Sequence, residues 1–317
     1  MNHRIGAGTT LIDVKYRGRP GYIAAGVIDS GAGLVLVDPG PTVSLEALHR
    51  GLDLLAADLG DVTTILLTHI HLDHAGGVGT LLRQNPAIQV HVHQRGARHL
   101  ADPTRLIDSA TRIYGERMAE FWGEIVPVPA ERITALEGGE QLRVGRRTMQ
   151  VAYTPGHAVH HVSYLDTASG DAWVGDAAGL LLVGRRFALP VTPPPDIDLE
   201  GWRQTHTTLR AWKPARLIHT HFGVGGDPRE HLDRHEGMLA EWAERVRESL
   251  EQPGSDAERA DRFMLSVVAD FQALVGEDQA GRIGFGGVRD SWHGLARYWR
   301  GRGSEKGEAR SEKGERR

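Results

Sequence analysis

An α/β fold is what the sequence predicts, and three features carry that expectation. Apolar runs of strand length alternate with stretches of helical spacing through the first half of the chain. A second set of short strands, punctuated by glycines, follows over residues 132–174. The chain has 317 residues, 40% of them hydrophobic, which suffices to bury a large core in one layered domain that carries an appendage.

Taken in order, residues 9–16 and 21–28 read as a strand pair broken by Arg17-Gly18-Arg19-Pro20, a turn built from glycine and proline. Residues 34–37 form a third strand that ends in Asp38-Pro39-Gly40. Within residues 41–59, Leu45, Leu48, Leu52 and Leu55 recur at helical spacing and give an amphipathic helix for a sheet face. Residues 62–67 read as a fully buried strand, residues 78–84 as a short helix and residues 88–92 as the next strand. Residues 94–122 are helical in pattern and concentrate Arg105, Arg112, Tyr114, Arg117, Phe121 and Trp122. That segment is either a wall for a pocket or a set of surface helices covering the sheet.

Residues 132–136, 140–144 and 147–151 are short strands separated by Gly138-Gly139 and by Gly145, which read as hairpin turns. Residues 162–165 and 172–174 add two more. The stretch from Pro190 to Asp196, with prolines at 190, 193, 194 and 195, is too stiff for a central strand or a helix interior, so it crosses the surface near the pocket mouth. Residues 199–212 and 229–251 are helical, the second with Leu232, Met238, Leu239 and Trp242 on one face. Gln252-Pro253-Gly254-Ser255-Asp256 marks a boundary and supplies an N-cap. The expected organisation is therefore a main domain over residues 1–252, a helical appendage over 253–300 and a charged tail over 301–317. The appendage holds an apolar helix at 263–275, a Gly-rich turn and an aromatic segment from Ser291 to Trp299. It can act as a lid, as a subunit contact in a homodimer or as packing alone. In the tail, Ser304-Glu305-Lys306-Gly307-Glu308 is nearly repeated from Ser311, and Ala309 is its only apolar residue, so disorder is expected there.

Composition narrows the function. A net charge of −4 gives no surface for nucleic acid. Zero cysteines exclude disulfides and thiolate metal sites, which leaves His and carboxylates as ligands. The first residues lack the apolar region of a signal peptide, and no apolar run approaches a membrane span, so a soluble cytoplasmic protein is expected.

The chemistry concentrates in Thr68-His69-Ile70-His71-Leu72-Asp73-His74-Ala75-Gly76-Gly77, where the buried strand over residues 62–67 runs out into a loop. His69 and His71 are two apart in extended backbone and project to the same side, so one metal can take both imidazoles. Asp73 and His74 sit on the turn beyond, and the glycines let the backbone fold tightly around them. Three His and one Asp within six positions point to a metal site with nitrogen and carboxylate ligands, and the second pair offers donors to a second ion.

His-x-His-x-Asp-His is the signature of the metallo-β-lactamase-fold hydrolases, and over about residues 9–247 the sequence resembles that family. The resemblance implies an αββα four-layer sandwich with metals at one edge between two sheets. It implies further ligands at His157 of Thr154-Pro155-Gly156-His157, at Asp176 of Gly175-Asp176 and at His221 of His221-Phe222-Gly223. On this reading His69, His71 and His157 hold a first metal, Asp73, His74 and His221 a second, and Asp176 bridges them; a shared anion lowers the repulsion between two neighbouring dications. Asp38, His161 and His219 then stand behind the ligands, with His160 a weaker candidate for the same role. The family places no ligand at His91 or His93. Asp at 73 with His at 74, and no cysteine ligand, are nearer to the glyoxalase II and lactonase branch than to the zinc β-lactamases.

The implied activity is hydrolysis of an ester, thioester or lactone by a hydroxide shared between two divalent ions, with Asp73 orienting it. Zinc suits the donor set best, and iron and manganese accept the same donors. The expected partner is a small acyl compound with an apolar part and an anionic or polar end, received by a pocket that includes Tyr114 and Trp122. Two other readings share the fold: a persulfide dioxygenase with one iron, and a scaffold without catalysis.

Overall fold

The computed structural model describes residues 2–6, 8–181, 188–275 and 286–314. The first sheet contains β1 (Asn2–Gly6), β2 (Thr9–Asp13), β3 (Ala24–Asp29), β4 (Leu34–Val37), β5 (Val62–Leu66), β6 (Gln89–His93) and β7 (Ile133–Leu136), in that spatial order. It is antiparallel from β1 to β4 and parallel from β4 to β7. The parallel steps need crossovers, and helices supply them. α1 (Leu45–Asp53) joins β4 to β5, and α2 (Leu72–Ala75) with α3 (Val78–Gln84) joins β5 to β6. α4 (Gln94–Ala101), α5 (Thr104–Tyr114) and α6 (Met118–Trp122) lead to β7.

The second sheet holds β8 (Gln141–Val144), β9 (Arg147–Tyr153), β10 (Val162–Asp166) and β11 (Asp171–Trp173). After a small separate pair, β12 (Leu180–Leu181) with β13 (Ala188–Leu189), the chain adds β14 (Arg216–His219) and β15 (Gly223–Val224) to that sheet, in the order β15-β14-β11-β10-β9-β8. α7 (Leu199–Trp212) is the crossover between the parallel strands β11 and β14. It starts where the Asp198 side chain accepts the Glu200 amide, and α8 (Pro228–Ser249) starts likewise at Asp227, which accepts the amides of Arg229 and Glu230. α9 (Asp256–Val275) and α10 (Gly286–Gly314) complete the described chain.

Three apolar clusters define the four layers of an αββα sandwich. Between the sheets, Leu11, Val35 and Leu66 of the first meet Val151, Tyr164 and Trp173 of the second. Trp173 lies so close to β3 that a Cβ at Gly26 would fall 2.2 Å from its ring, so this position admits no side chain. Outside the first sheet, Leu48, Leu52 and Leu81 of α1 and α3 pack on Ile12, Leu36 and Ile65. Outside the second, Leu209 and Leu232 of α7 and α8 cover Leu165, Ala172 and Leu217. Central strands buried on both faces explain the continuous apolar runs in the sequence.

Several expectations needed correction. The strands flanking Gly138-Gly139 do not pair: β7 belongs to the first sheet and β8 to the second, so this is the crossing between sheets, while Gly145 does close the β8–β9 hairpin. The helix of residues 41–59 is shorter than its leucine spacing suggests. α1 ends at Asp53, and Leu55 is exposed beyond it. The edge strands β1 and β15 and the pair β12–β13 were not foreseen, being short and supported by neighbours instead of by their own pattern. Residues 301–314 continue α10, where disorder was expected. Glu, Lys, Arg and Ala there favour helix and the four glycines oppose it, so local preference does not account for the extension. The Gly-rich turn falls within residues 276–285, outside the described residues.

The expected break near residue 252 does separate α8 from α9, but the apolar core crosses it. Trp202, Trp242, Phe263 and Trp292 share one cluster, and Trp292 Nε1 donates to Ser249 Oγ at 2.8 Å. Thr192 in the Pro-rich crossing donates through both its amide and its hydroxyl to Ser291, 3.2 Å each, tying that crossing to α10. Among the described residues no helix is long and apolar enough to cross a membrane.

Candidate metal centre

The site lies where β5, β14 and the loops after β9 and β11 end at one edge of the sandwich. His69 and His71 leave β5 in extended backbone, and Asp73 and His74 sit on α2, a four-residue helix and not an open turn. His157 lies on the loop between β9 and β10, Asp176 just beyond β11, and His221 just beyond β14. Three groups result, each with its ligand atoms within 4.8 Å of one another: His69, His71 and His157; His69, His74 and Asp176; and Asp73, His74 and His221. The expected sets thus converge, with Asp176 between them: its Oδ1 is 3.4 Å from His74 Nε2 and its Oδ2 is 3.5 Å from His157 Nε2.

Whether these residues suit a cation can be tested on their own hydrogen bonds. His157 Nδ1 donates to the Val191 carbonyl at 2.8 Å, and His221 Nδ1 to the Tyr22 carbonyl at 2.8 Å. His69 Nδ1 donates to Thr68 Oγ1 at 3.1 Å, because that hydroxyl spends its own proton on Asp38. His74 Nδ1 is 2.8 Å from Asp38 Oδ2. Each imidazole therefore has its rear nitrogen engaged and turns Nε2 forward, that of His221 toward Asp73 Oδ2 at 3.1 Å. His69 Nε2 and His157 Nε2 each stand 2.9 Å from His71 Nδ1, and one proton cannot serve both contacts. His74 Nε2 and Asp176 Oδ1, which face each other at 3.4 Å, are buried with no other hydrogen-bond partner among the described residues. Such lone pairs aimed at common points are costly unless a cation takes them, so the donor set fits two metal ions.

Electrostatics agree with this. Burial, helped by His74 and His71, holds His69 well below the ordinary imidazole range, and burial with His157 brings His71 down to about 3. Burial opposes charge on His74, yet Asp176, Asp38 and Asp73 outweigh it and raise that imidazole well above its usual value. For Asp176 and Asp73 burial works upward, but His74 and His221 overcome it and hold both carboxyls below the usual range. The carboxylates draw positive charge to the place where these imidazoles meet.

The residues expected in support stand behind the ligands. Asp38 is fully buried and accepts from the Thr68 amide and hydroxyl, the Thr220 hydroxyl and His74, at 2.6–2.8 Å. His161 Nε2 accepts the Asp176 amide at 3.3 Å, and its Nδ1 meets Thr154 Oγ1 at 2.8 Å. His219 turns away from the metal-facing atoms and donates from Nδ1 to the Gly179 carbonyl at 3.0 Å. His160 is stacked over His69, centroids 6.1 Å apart, and borders the cavity. His91 and His93 join no ligand group; His93 caps α4 and stacks on Tyr153.

A cavity of about 880 Å³ opens over Asp73, His157, Asp176 and His221. Tyr114, Trp122 and Arg105 line it, but Arg112, Arg117 and Phe121 do not; Arg117 lies over the Phe121 ring instead. Arg95, Arg98 and Tyr22 line it without having been picked out from the sequence. Arg95 and Arg98 are three apart on α4, a spacing that puts both on one helix face. Tyr22 acts through its carbonyl on His221, which no side-chain pattern reveals. Asp290 of α10 also reaches the cavity, so the appendage contributes to its wall.

The comparisons with known proteins come to the same fold. A metallo-β-lactamase fold-containing protein of Sulfurisphaera tokodaii is 32% identical over 163 residues, 50% of this chain and 60% of that one. Hydroxyacylglutathione hydrolase of Yersinia enterocolitica is 30% identical over 154 residues, 47% of this chain and 46% of the relative. The chain thus spans no more than 60% of the length of these two relatives. The solved structure of a metallo-β-lactamase family protein from Thermus thermophilus superposes with a TM-score of 0.68 over 93% of this chain and 94% of that one, at 22% identity, which speaks for the fold alone. The metallo-β-lactamase superfamily profile matches residues 18–221, from the turn after β2 to the last proposed ligand, and the chain belongs to that superfamily.

Proposed function

We propose that this protein is a hydrolase with two divalent metal ions that cleaves an acyl compound at its carbonyl carbon. The observation that supports it is the convergence of seven His and Asp side chains on shared points, with the rear nitrogens of His69, His74, His157 and His221 fixed. His69, His71 and His157 would hold one ion, Asp73, His74 and His221 the other, and Asp176 would lie between. Ions bound there would polarise the acyl oxygen and lower the pKa of water from 15.7 toward about 7. Zinc suits these donors, with iron and manganese as alternatives.

The chain's own groups supply orientation and selection. Asp73 has a quarter of its side chain exposed, whereas His74, Asp176 and His221 are all but closed off, so its carboxylate is the group placed to orient the attacking water. One part of the cavity wall is apolar, with Leu106, Ile113, Tyr114 and Trp122, and α4 and α5 add the cations Arg95, Arg98 and Arg105. Asp196 and Asp290 border it elsewhere. This favours a substrate with an apolar acyl part and an anionic carrier. Relatives named hydroxyacylglutathione hydrolase and thioesterase make a thioester the first choice.

The test is a hydrolysis panel of thioesters, lactones, aryl esters and a β-lactam, run on protein loaded with zinc, manganese or iron. Cleavage of a thioester is expected. No cleavage with any metal, together with oxygen uptake on a persulfide, would replace the hydrolase by an iron dioxygenase.

A further inference from the structure

The backbone that follows Asp176 is gripped from behind by three aromatic N–H donors on three different elements. Trp202 Nε1 of α7 donates to the Ala177 carbonyl at 2.8 Å, His231 Nε2 of α8 to the Ala178 carbonyl at 2.9 Å, and His219 Nδ1 of β14 to the Gly179 carbonyl at 3.0 Å. A carbonyl oxygen only accepts, so each ring must carry its proton on the bonded nitrogen. That fixes the tautomer of both imidazoles. His219 Nε2 and His231 Nδ1 are then bare, and both are buried without a partner among the described residues. An indole and two imidazoles at 0–2% exposure are used here to hold three consecutive peptide groups.

The turn they grip has little slack. The Gly179 amide returns to the Asp176 carbonyl at 3.0 Å, and the Asp176 amide is taken by His161 Nε2. Gly179 itself is at φ +81°, and a Cβ there would meet the Leu189 carbonyl at 2.6 Å and the His235 ring at 2.8 Å. Asp176 spans two groups of ligands, with one oxygen toward His74 and the other toward His157, so a rotation of its backbone withdraws an oxygen from at least one of them. Trp202 joins the two halves further, because its ring also stands edge-on to His157 with centroids 6.3 Å apart.

We propose that Trp202, His219 and His231 are positioning residues that hold the Asp176 carboxylate between the two metal sites, acting through the carbonyls of residues 177–179. The proposal rests on the metal-centre reading above. It separates from plain core packing by a chemical criterion: what matters is an N–H at one place on the ring. A glutamine amide stands where the Nε2 of a histidine stands and keeps the donor, whereas leucine keeps the volume and loses it.

The experiment titrates apo protein with zinc against a chelator of known affinity and records thermal unfolding of the apo forms, for the native chain, His231→Gln, His231→Leu and Trp202→Phe. His231→Leu and Trp202→Phe should bind zinc about tenfold or more weakly, the loss expected when a group supporting a ligand is removed, and His231→Gln should keep native affinity. Native affinity in a folded His231→Leu, or an equal loss in His231→Gln, would overturn the proposal. Should His231→Leu not fold, Trp202→Phe decides, with its apo unfolding read beside it because phenylalanine keeps one aromatic ring but removes the pyrrole part of the indole with the donor; native affinity there would overturn the proposal as well. A native chain that takes up no zinc would overturn the metal centre and this inference together, whatever the substrate panel gives.

Discussion

The floor of the cavity and its surrounding wall are made from different kinds of structure. The floor is built at strand ends: the imidazoles of His69, His74, His157 and His221 are buried and have the rear nitrogen fixed by a carbonyl, a hydroxyl or the Asp38 carboxylate. The wall is built from α4, α5, α6, the Pro-rich crossing and α10, and its cations Arg95, Arg98 and Arg105 are exposed. A metal centre demands fixed lone pairs in a closed geometry, which rigid sheet edges supply. A substrate wall needs only shape and charge, which helices and loops supply and can vary. The two regions should therefore fail differently: damage to the floor abolishes chemistry on every substrate, and damage to the wall changes which substrate is preferred.

The largest effect expected is on the floor. Asp73→Asn should lower kcat by about a hundredfold or more on all substrates tested, the loss that follows when a reacting group is misplaced, with parallel kinetics on two unrelated acyl compounds as the check. A loss confined to one of them would erase the distinction between floor and wall. Next is Asp38→Ala, which leaves the Thr68, Thr220 and His74 donors buried without their acceptor. At about 1–3 kcal/mol for each unpaired buried group, urea unfolding of the apo protein should register a loss on the order of 4 kcal/mol. A change below about 1 kcal/mol would mean the carboxylate is not the hub of this network.

On the wall, the double variant Arg95→Ala with Arg105→Ala should raise KM about tenfold for a thioester with a phosphorylated carrier such as coenzyme A, since each exposed ion contact contributes roughly 0.2–1 kcal/mol. The same acyl group on uncharged N-acetylcysteamine should show a smaller change, and equal changes on both would remove the anionic carrier from the account. The smallest effect expected is from deleting residues 301–317. That truncation removes the contact of Arg302 with Glu200, a half-exposed pair, and should leave metal content unchanged and shift the melting temperature by only a few degrees. A large drop would show that the tail docks.

The same division governs what the sequence reveals. That His69, His71, Asp73, His74, His157, Asp176 and His221 lie together was legible because a metal site would require specific side chains at strand ends. Crossovers at α1 and α7 were legible because amphipathic spacing is local. Tyr22 and Val191 were not, since they act through backbone carbonyls that any residue could provide. The separation of β7 from β8 was hidden because Gly138-Gly139 serves a crossing between sheets as well as it serves a hairpin. The wall was half legible: Tyr114 and Trp122 line the cavity as expected, but Arg112 and Arg117 sit on the same helical segment and face elsewhere, a matter of rotation that composition does not record.

The central claim, two ions held by these seven residues, is tested most directly by metal stoichiometry. Elemental analysis of the purified native chain and of His69→Ala and Asp176→Ala, with hydrolysis measured on the same samples, should give two ions per native chain. It should give loss of the first ion with His69→Ala and weakened retention of both with Asp176→Ala, with activity falling in step. Native protein that hydrolyses substrate while containing no transition metal would contradict the account at its base.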